Sequence, residues 1–245
     1  MGSIADHERQ DSSARSGTWG FTLIELLVVI SIIGLLMGIS IPALSRAREN
    51  AKRTKCLSNV RQLRVALQLY TDSDDGRVPP RDYDAGAVWV DRLEPYYRDR
   101  KLLRCPSDPR GRDQSYLLNG FIDYFVVNSF NGSWDEFFGM YKDGGFPSVK
   151  LSNIPKPADT ITFGEKRADS EDDAYMDIWP PQYGSDHLTE VAHGKHRLGS
   201  KERSGGSNYA FADGSARYLI YGKAFSPKNL WAVTDQFRNA PLPEL

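Results

Sequence analysis

Residues 20–44 read Gly20-Phe21-Thr22-Leu23-Ile24-Glu25-Leu26-Leu27-Val28-Val29-Ile30-Ser31-Ile32-Ile33-Gly34-Leu35-Leu36-Met37-Gly38-Ile39-Ser40-Ile41-Pro42-Ala43-Leu44. No charged residue lies between Leu26 and Leu44, and that is enough chain to cross a bilayer core as a helix. One carboxylate, Glu25, stands at the head of the stretch. A lone acid at the edge of an apolar span is costly unless a partner offsets it. The rivals are a plain transmembrane anchor and a removable secretory signal cut near Ala43-Leu44-Ser45. A signal has an apolar core of roughly 7–15 residues behind a basic leader. Here the core is longer, and Arg9 and Arg15 are outnumbered by Asp6, Glu8 and Asp11.

Beyond the apolar stretch, Arg46, Arg48, Lys52, Arg53, Lys55, Arg61 and Arg64 face one acid, Glu49. This basic collar reads as a solvated helix face at lipid headgroups or as a surface pairing with acidic patches. It lacks the interleaved aromatics of a nucleic-acid face, so no nucleic acid is expected. Pro42 removes one backbone bond and predicts a kink or a loosened turn. Past it, Cys56, Val60, Leu63, Leu67 and Tyr70 are spaced 4, 3, 4 and 3, an apolar stripe on one face of a continuing helix. Asp72 to Gly76 and then Val78-Pro79-Pro80 end that helix.

The rest of the 245 residues, with 11% aromatics, 21 Gly and 14 Pro, predicts a strand- and loop-rich head large enough for its own core. A short helix is expected around Trp89, Leu93, Tyr96 and Tyr97. Strands are expected at 115–119, 124–128 and 160–164. Asn208 to Ala212, an Asp213-Gly214 turn and Arg217 to Tyr221 make a hairpin. Residues 165–207 read as loop.

Gly20, Phe21, Thr22, Leu23 and Glu25, followed by the apolar run, resemble the N-terminal signature of type IV pilins and type II secretion pseudopilins. The resemblance implies a prepilin leader, 1–20, and cleavage between Gly20 and Phe21 by prepilin peptidase, with N-methylation of Phe21. It also implies a polymerisation helix over 21–44, a periplasmic half of the helix over 45–74, and a globular head over 75–245. The expected fold is α+β and pilin-like, a long helix packed on an antiparallel sheet with long loops. A free amine on Phe21 lies one turn from Glu25, and pairing with a neighbour's amine would make Glu25 an assembly residue. Snorkelling to the headgroups is the plainer role for the acid. The segment around Cys56, Cys105-Pro106-Ser107-Asp108 and Phe211-Ala212-Asp213-Gly214 resembles a large-headed pilin-like group common in planctomycete and verrucomicrobial bacteria. That group often carries a histidine shortly before the Asp-Gly.

The implied function is a structural, non-enzymatic pseudopilin of a type II secretion-like filament. Its implied partners are prepilin peptidase, other pilin-like subunits and an inner-membrane assembly platform. Its implied location is the inner membrane, single pass, with a periplasmic head. A type IV pilus subunit for adhesion or DNA uptake is one alternative. A membrane-anchored periplasmic metal-dependent enzyme or binding protein is the other, drawing on Glu165, Asp177, Asp186, His187, His193, His196 and Asp213. His193-Gly194-Lys195-His196 lacks the helical His-x-x-x-His pair of a zinc hydrolase, so these histidines read as surface loop residues. The collar conflicts with the positive-inside rule, but a cytoplasmic peptidase acting at Gly20 requires the head outside. An oxidising compartment allows a Cys56–Cys105 disulfide; two buried thiols are the alternative. Calcium-binding pseudopilin loops make calcium the favoured cofactor if there is one, with Asp172, Asp173 and Asp213 as candidate ligands.

Intact-mass analysis and N-terminal sequencing of the membrane-extracted protein should find methylated Phe21 at the mature end. Gly20→Asp should leave the full-length precursor. A mature end at Arg46 would mean a secreted protein instead.

Overall fold

The computed structural model describes residues 21–80, 88–108, 113–142, 148–170, 174–180, 186–197 and 203–242. The chain divides into two compact units between Leu44 and Ser45. Helix α1, Leu23–Ser73, is 51 residues long and runs through Pro42 without interruption. Its apolar first half is exposed on all sides, and it is the one helix among the described residues long and apolar enough to cross a membrane. An all-round apolar helix needs lipid or other helices around it.

In the second unit, the C-terminal half of α1 buries Cys56, Asn59, Val60, Leu63, Arg64, Ala66 and Leu67. After Gly76, whose φ is +76°, the chain turns back and Val78 bonds to Val149. Short helix α2, Trp89–Tyr97, brings Trp89, Val90 and Leu93 to the same core. The sheet has five strands: β1 (Tyr116–Asn119), β2 (Ile161–Glu165), β3 (Tyr175–Met176), β4 (Gly206–Phe211) and β5 (Ala216–Ile220), in the order β3-β1-β2-β4-β5. It is antiparallel except at one edge, where β3 pairs parallel to β1. The expected all-antiparallel sheet is corrected there: residues 165–207 contain β3 and a one-turn helix as well as loop.

Two apolar layers flank the sheet. On the helix side, Cys56, Val60, Leu63 and Leu67 share a cluster with Tyr116, Leu118, Phe163, Ala210 and Ala212. On the other side, Leu117, Ile161, Tyr209 and Phe211 surround Trp231. Successive strand residues point to opposite faces. Ile161 and Phe163 are two apart yet lie in different layers, because the β2–β4 register shifts between them; such a bulge turns the strand over. Gly164 lets Trp231 approach: a Cβ there would stand 2.5 Å from the indole.

Two expectations are overturned. Residues 124–128 belong to helix α3, Ile122–Ser129, rather than to a strand. The run packs Ile122, Phe125 and Val126 inward at helical spacing, and Asp123 is pinned by the amides of Val233 and Thr234. The stripe of α1 meets Phe163, Ala210 and Ala212 rather than Tyr209 and Phe211, which face away. Ile220 is exposed, and Tyr70 is only partly buried. Small alanines on β4 leave room for a helix, which large aromatics would fill.

Leu67 is fully buried in the layer between helix and sheet. Leu67→Ala should cost about 2–5 kcal/mol, read from the urea midpoint. A loss under 1 kcal/mol would mean that this half of α1 is not part of the core.

Candidate functional site

The end of β2 delivers Glu165 to a point with no exposure. Its Oε2 accepts from the Asn208 amide at 2.9 Å. Its Oε1 accepts from the Asn208 side chain at 3.1 Å and from His196 Nε2 at 2.8 Å. The other ring nitrogen of His196 lies 3.0 Å from Glu49 Oε1, on α1. Ser107 Oγ, in the Cys105-Pro106-Ser107-Asp108 loop, donates to the same Glu49 oxygen at 2.8 Å. Burial works against a charge on His196. The hydrogen bonds and negative charges of Glu165 and Glu49 outweigh it and hold the imidazole above its ordinary value. When the ring is protonated, its two nitrogens donate to a carboxylate on each side, one from the sheet and one from the helix.

The disulfide Cys56–Cys105 lies against this group. Its Cα atoms are 5.3 Å apart, and Cys105 Sγ stands 3.8 Å from Glu165 Oε1 and 3.9 Å from His196 Nε2. It joins α1 to the Cys105 loop across a separation of 49 residues, a closure worth about 2–4 kcal/mol. Beside it, Lys195 Nζ is buried, donating to Asp108 Oδ2 at 3.2 Å and to the carbonyl of Lys166 at 2.6 Å. Helix, disulfide loop, sheet and histidine segment are thus tied at one place. The His196 and Glu165 side chains have 1% and 0% exposure. What the arrangement can do is hold the head on its helix.

Of the described candidate residues, Glu165 and His196 come together and the others do not join them. His187, His193 and His196 are all buried, which corrects the surface reading of that loop. Burial pushes His193 below its ordinary value, and its Nε2 donates to the carbonyl of His187 at 2.5 Å. Asp186 accepts from the amide of Asp177. Asp213 Oδ1 accepts from the amide and hydroxyl of Ser215 at 2.9 and 2.7 Å within its own turn. Asp172, Asp173 and Gly20 lie outside the described residues. The collar is also not uniformly solvated. Buried Arg64 donates to the carbonyls of Phe211 and Ala212 at 3.0 and 2.6 Å, and the Arg53 guanidinium sits 4.7 Å from the centroid of the Tyr218 ring.

At the other end of α1, Phe21 is exposed, and Thr22 and Glu25 bond reciprocally. Glu25 Oε2 accepts from the Thr22 amide at 2.9 Å and its hydroxyl at 2.7 Å, while the Glu25 amide donates to the Thr22 hydroxyl at 3.2 Å. This is a capping box, and Thr-x-x-Glu before an apolar run is its sequence signal.

Residues 20–41 match the family model described as the prokaryotic N-terminal methylation motif. The chain is 30% identical over 142 residues to the type II secretion system core protein G of Dickeya chrysanthemi, across 51% of this chain and 92% of that one. To the protein of the same name from Pectobacterium carotovorum subsp. carotovorum it is 36% identical over 128 residues, 48% of this chain and 81% of the other. To that of Vibrio cholerae serotype O1 it is 32% identical over 117 residues, 45% and 80%. Those relatives are covered nearly whole, while about half of this chain lies outside each alignment. No solved structure matches the chain.

Removing one member of a buried ion pair strands the other. His196→Leu should therefore cost about 3–5 kcal/mol in the urea midpoint. The double variant Glu165→Gln with His196→Leu should recover part of that loss. Equal losses in the two variants would mean that packing, not charge, is what His196 supplies.

Proposed function

The chain belongs to the type II secretion system core protein G family, and on that footing we propose that it is a pseudopilin, a filament subunit built on its N-terminal helix. The observation that carries the reading is the joining of two features. The methylation motif covers residues 20–41, and the helix it opens presents its apolar side chains in every direction for the length of a membrane span. Such a helix is anchored by lipid before assembly and by its neighbours after it.

In this reading prepilin peptidase cuts between Gly20 and Phe21 and methylates the new amine. The leader faces the cytoplasm and the head the periplasm, and the head's disulfide is in keeping with an oxidising compartment. The partners are further pilin-like subunits and an assembly platform in the inner membrane. The head sets the outer surface of the filament.

Glu25 has two duties available to it. It caps its own helix through Oε2, and its second oxygen is left to accept a neighbour's Phe21 amine. Glu25→Gln keeps an acceptor for Thr22 but removes the charge that pairs with an ammonium group. Glu25→Gln and Glu25→Ala should both insert and be cleaved, and both should fail to form filaments, scored by shearing and immunoblot. If Glu25→Gln assembles normally while Glu25→Ala does not, the cap alone is the acid's role.

A further inference from the structure

The disulfide and the ion pair beneath α1 bring four metal-binding side chains to one buried point. We propose that the chain with reduced cysteines binds one zinc ion there, through Cys56 Sγ, Cys105 Sγ, His196 Nε2 and Glu165 Oε1. The four ligand atoms all lie within 4.8 Å of one another, and all four residues are buried. Tetrahedral zinc with Zn–S of about 2.3 Å and Zn–N or Zn–O of about 2.0–2.2 Å spaces its ligand atoms about 3.3–3.8 Å apart. Opening the sulfur–sulfur bond and small rotations of the side chains reach that spacing, since the two Cys Cα atoms already stand 5.3 Å apart. Two thiolates, one imidazole and one carboxylate form a donor set that favours zinc over calcium or magnesium, which take oxygen ligands.

The surroundings are those of a supported site. His196 turns its other nitrogen to Glu49 Oε1 at 3.0 Å, the carboxylate contact that orients a ligating imidazole and fixes its tautomer. Glu165 keeps its second oxygen on the Asn208 amide at 2.9 Å, so Oε1 is presented toward the sulfurs. The ligands come from α1, the Cys105 loop, β2 and the histidine segment, the same pieces that the disulfide and ion pair tie in the oxidised chain. Zinc would replace both ties with one centre.

The two states interconvert by a balanced exchange. A dithiol reductant gives two electrons and two protons to the Cys56–Cys105 bond and becomes a disulfide itself. Zinc then displaces the two thiol protons and the proton on His196 Nε2 to solvent, and the metal takes the freed lone pairs. Oxidation of the two thiolates by a disulfide runs the exchange backwards and expels the ion. The proposal stands apart from the filament reading; its failure leaves the family assignment as it is.

The test uses the membrane-extracted chain in detergent, reduced with a phosphine without oxygen and then freed of it. Cobalt(II) is added first and displaced with zinc(II), and helicity and melting are followed in parallel. The expected result is one cobalt per reduced chain, with thiolate-to-cobalt charge-transfer and tetrahedral visible bands that zinc abolishes. The oxidised chain and the Cys56→Ser/Cys105→Ser variant should take up none. His196→Asn should lose the site, and Glu49→Gln, which leaves every ligand in place, should weaken it about 10–100-fold. If the reduced chain loses its fold, zinc must restore its melt. No thiolate band, equal uptake by the oxidised chain, binding indifferent to His196→Asn, or a reduced chain that zinc does not restore would each overturn the proposal.

Discussion

A carboxylate without access to water needs donors, and the head is arranged to bring them to Glu165. Its position at the end of β2 is set by the strand. Its donors come from β4, through the amide and side chain of Asn208, and from the histidine segment, through His196. The far nitrogen of His196 lies 3.0 Å from Glu49 on α1. The elements that contribute donors, and the disulfide beside them, are therefore tied to one charge. This is a costly way to hold a fold, since each ion loses its hydration, and the bonds that offset the cost come from separate elements that must all be in place. Arg64 repeats the device at the hairpin, where its guanidinium meets two carbonyls at the end of β4.

Helix α1 carries two unlike environments on one backbone. Before Ser45 its side chains are apolar around the whole circumference. After it, an inward face of Cys56, Val60, Leu63 and Leu67 alternates with an outward charged one. The first pattern suits a surround of lipid and like helices, and the second suits one sheet. The capping box at Thr22 and Glu25 satisfies amides at the start of α1, where no preceding turn can accept them.

Much of the architecture could be read in the residues. Two strand-like runs on either side of Asp213-Gly214 mark the hairpin, and the 4-3-4-3 stripe marks the buried face of α1. The motif at Gly20 to Glu25 is local and so visible. Residues 124–128 look like a strand because the four apolar residues Tyr124 to Val127 carry no period; the bonds of Asp123 to the amides of Val233 and Thr234 lie 110 and 111 positions away in sequence. The stripe's partner is not legible from the large aromatics of β4, because the bulge in β2 gives the helix the other face, with Ala210 on β4 and Ala212 just past its end. The central site was the least legible. Glu49 and His196 are 147 positions apart, and Glu49 is a single acid among bases. Arg64 did leave a sign, since it follows buried Val60 by one turn.

The division between Leu44 and Ser45 falls inside a continuous helix rather than at its end. That position bears on how such chains could exchange parts. Were two such subunits to exchange parts by recombination, a crossover at the visible end of α1, after Ser73, would give the recipient a sheet without Cys56, Arg64 or Glu49. A crossover near Ser45 would transfer a head complete with the helix face it was built against, and would join it to an N-terminal segment whose requirement is hydrophobicity and register. Exchange at that point would carry a head together with its own half of the helix, and would let large heads diversify on an interchangeable N-terminal segment.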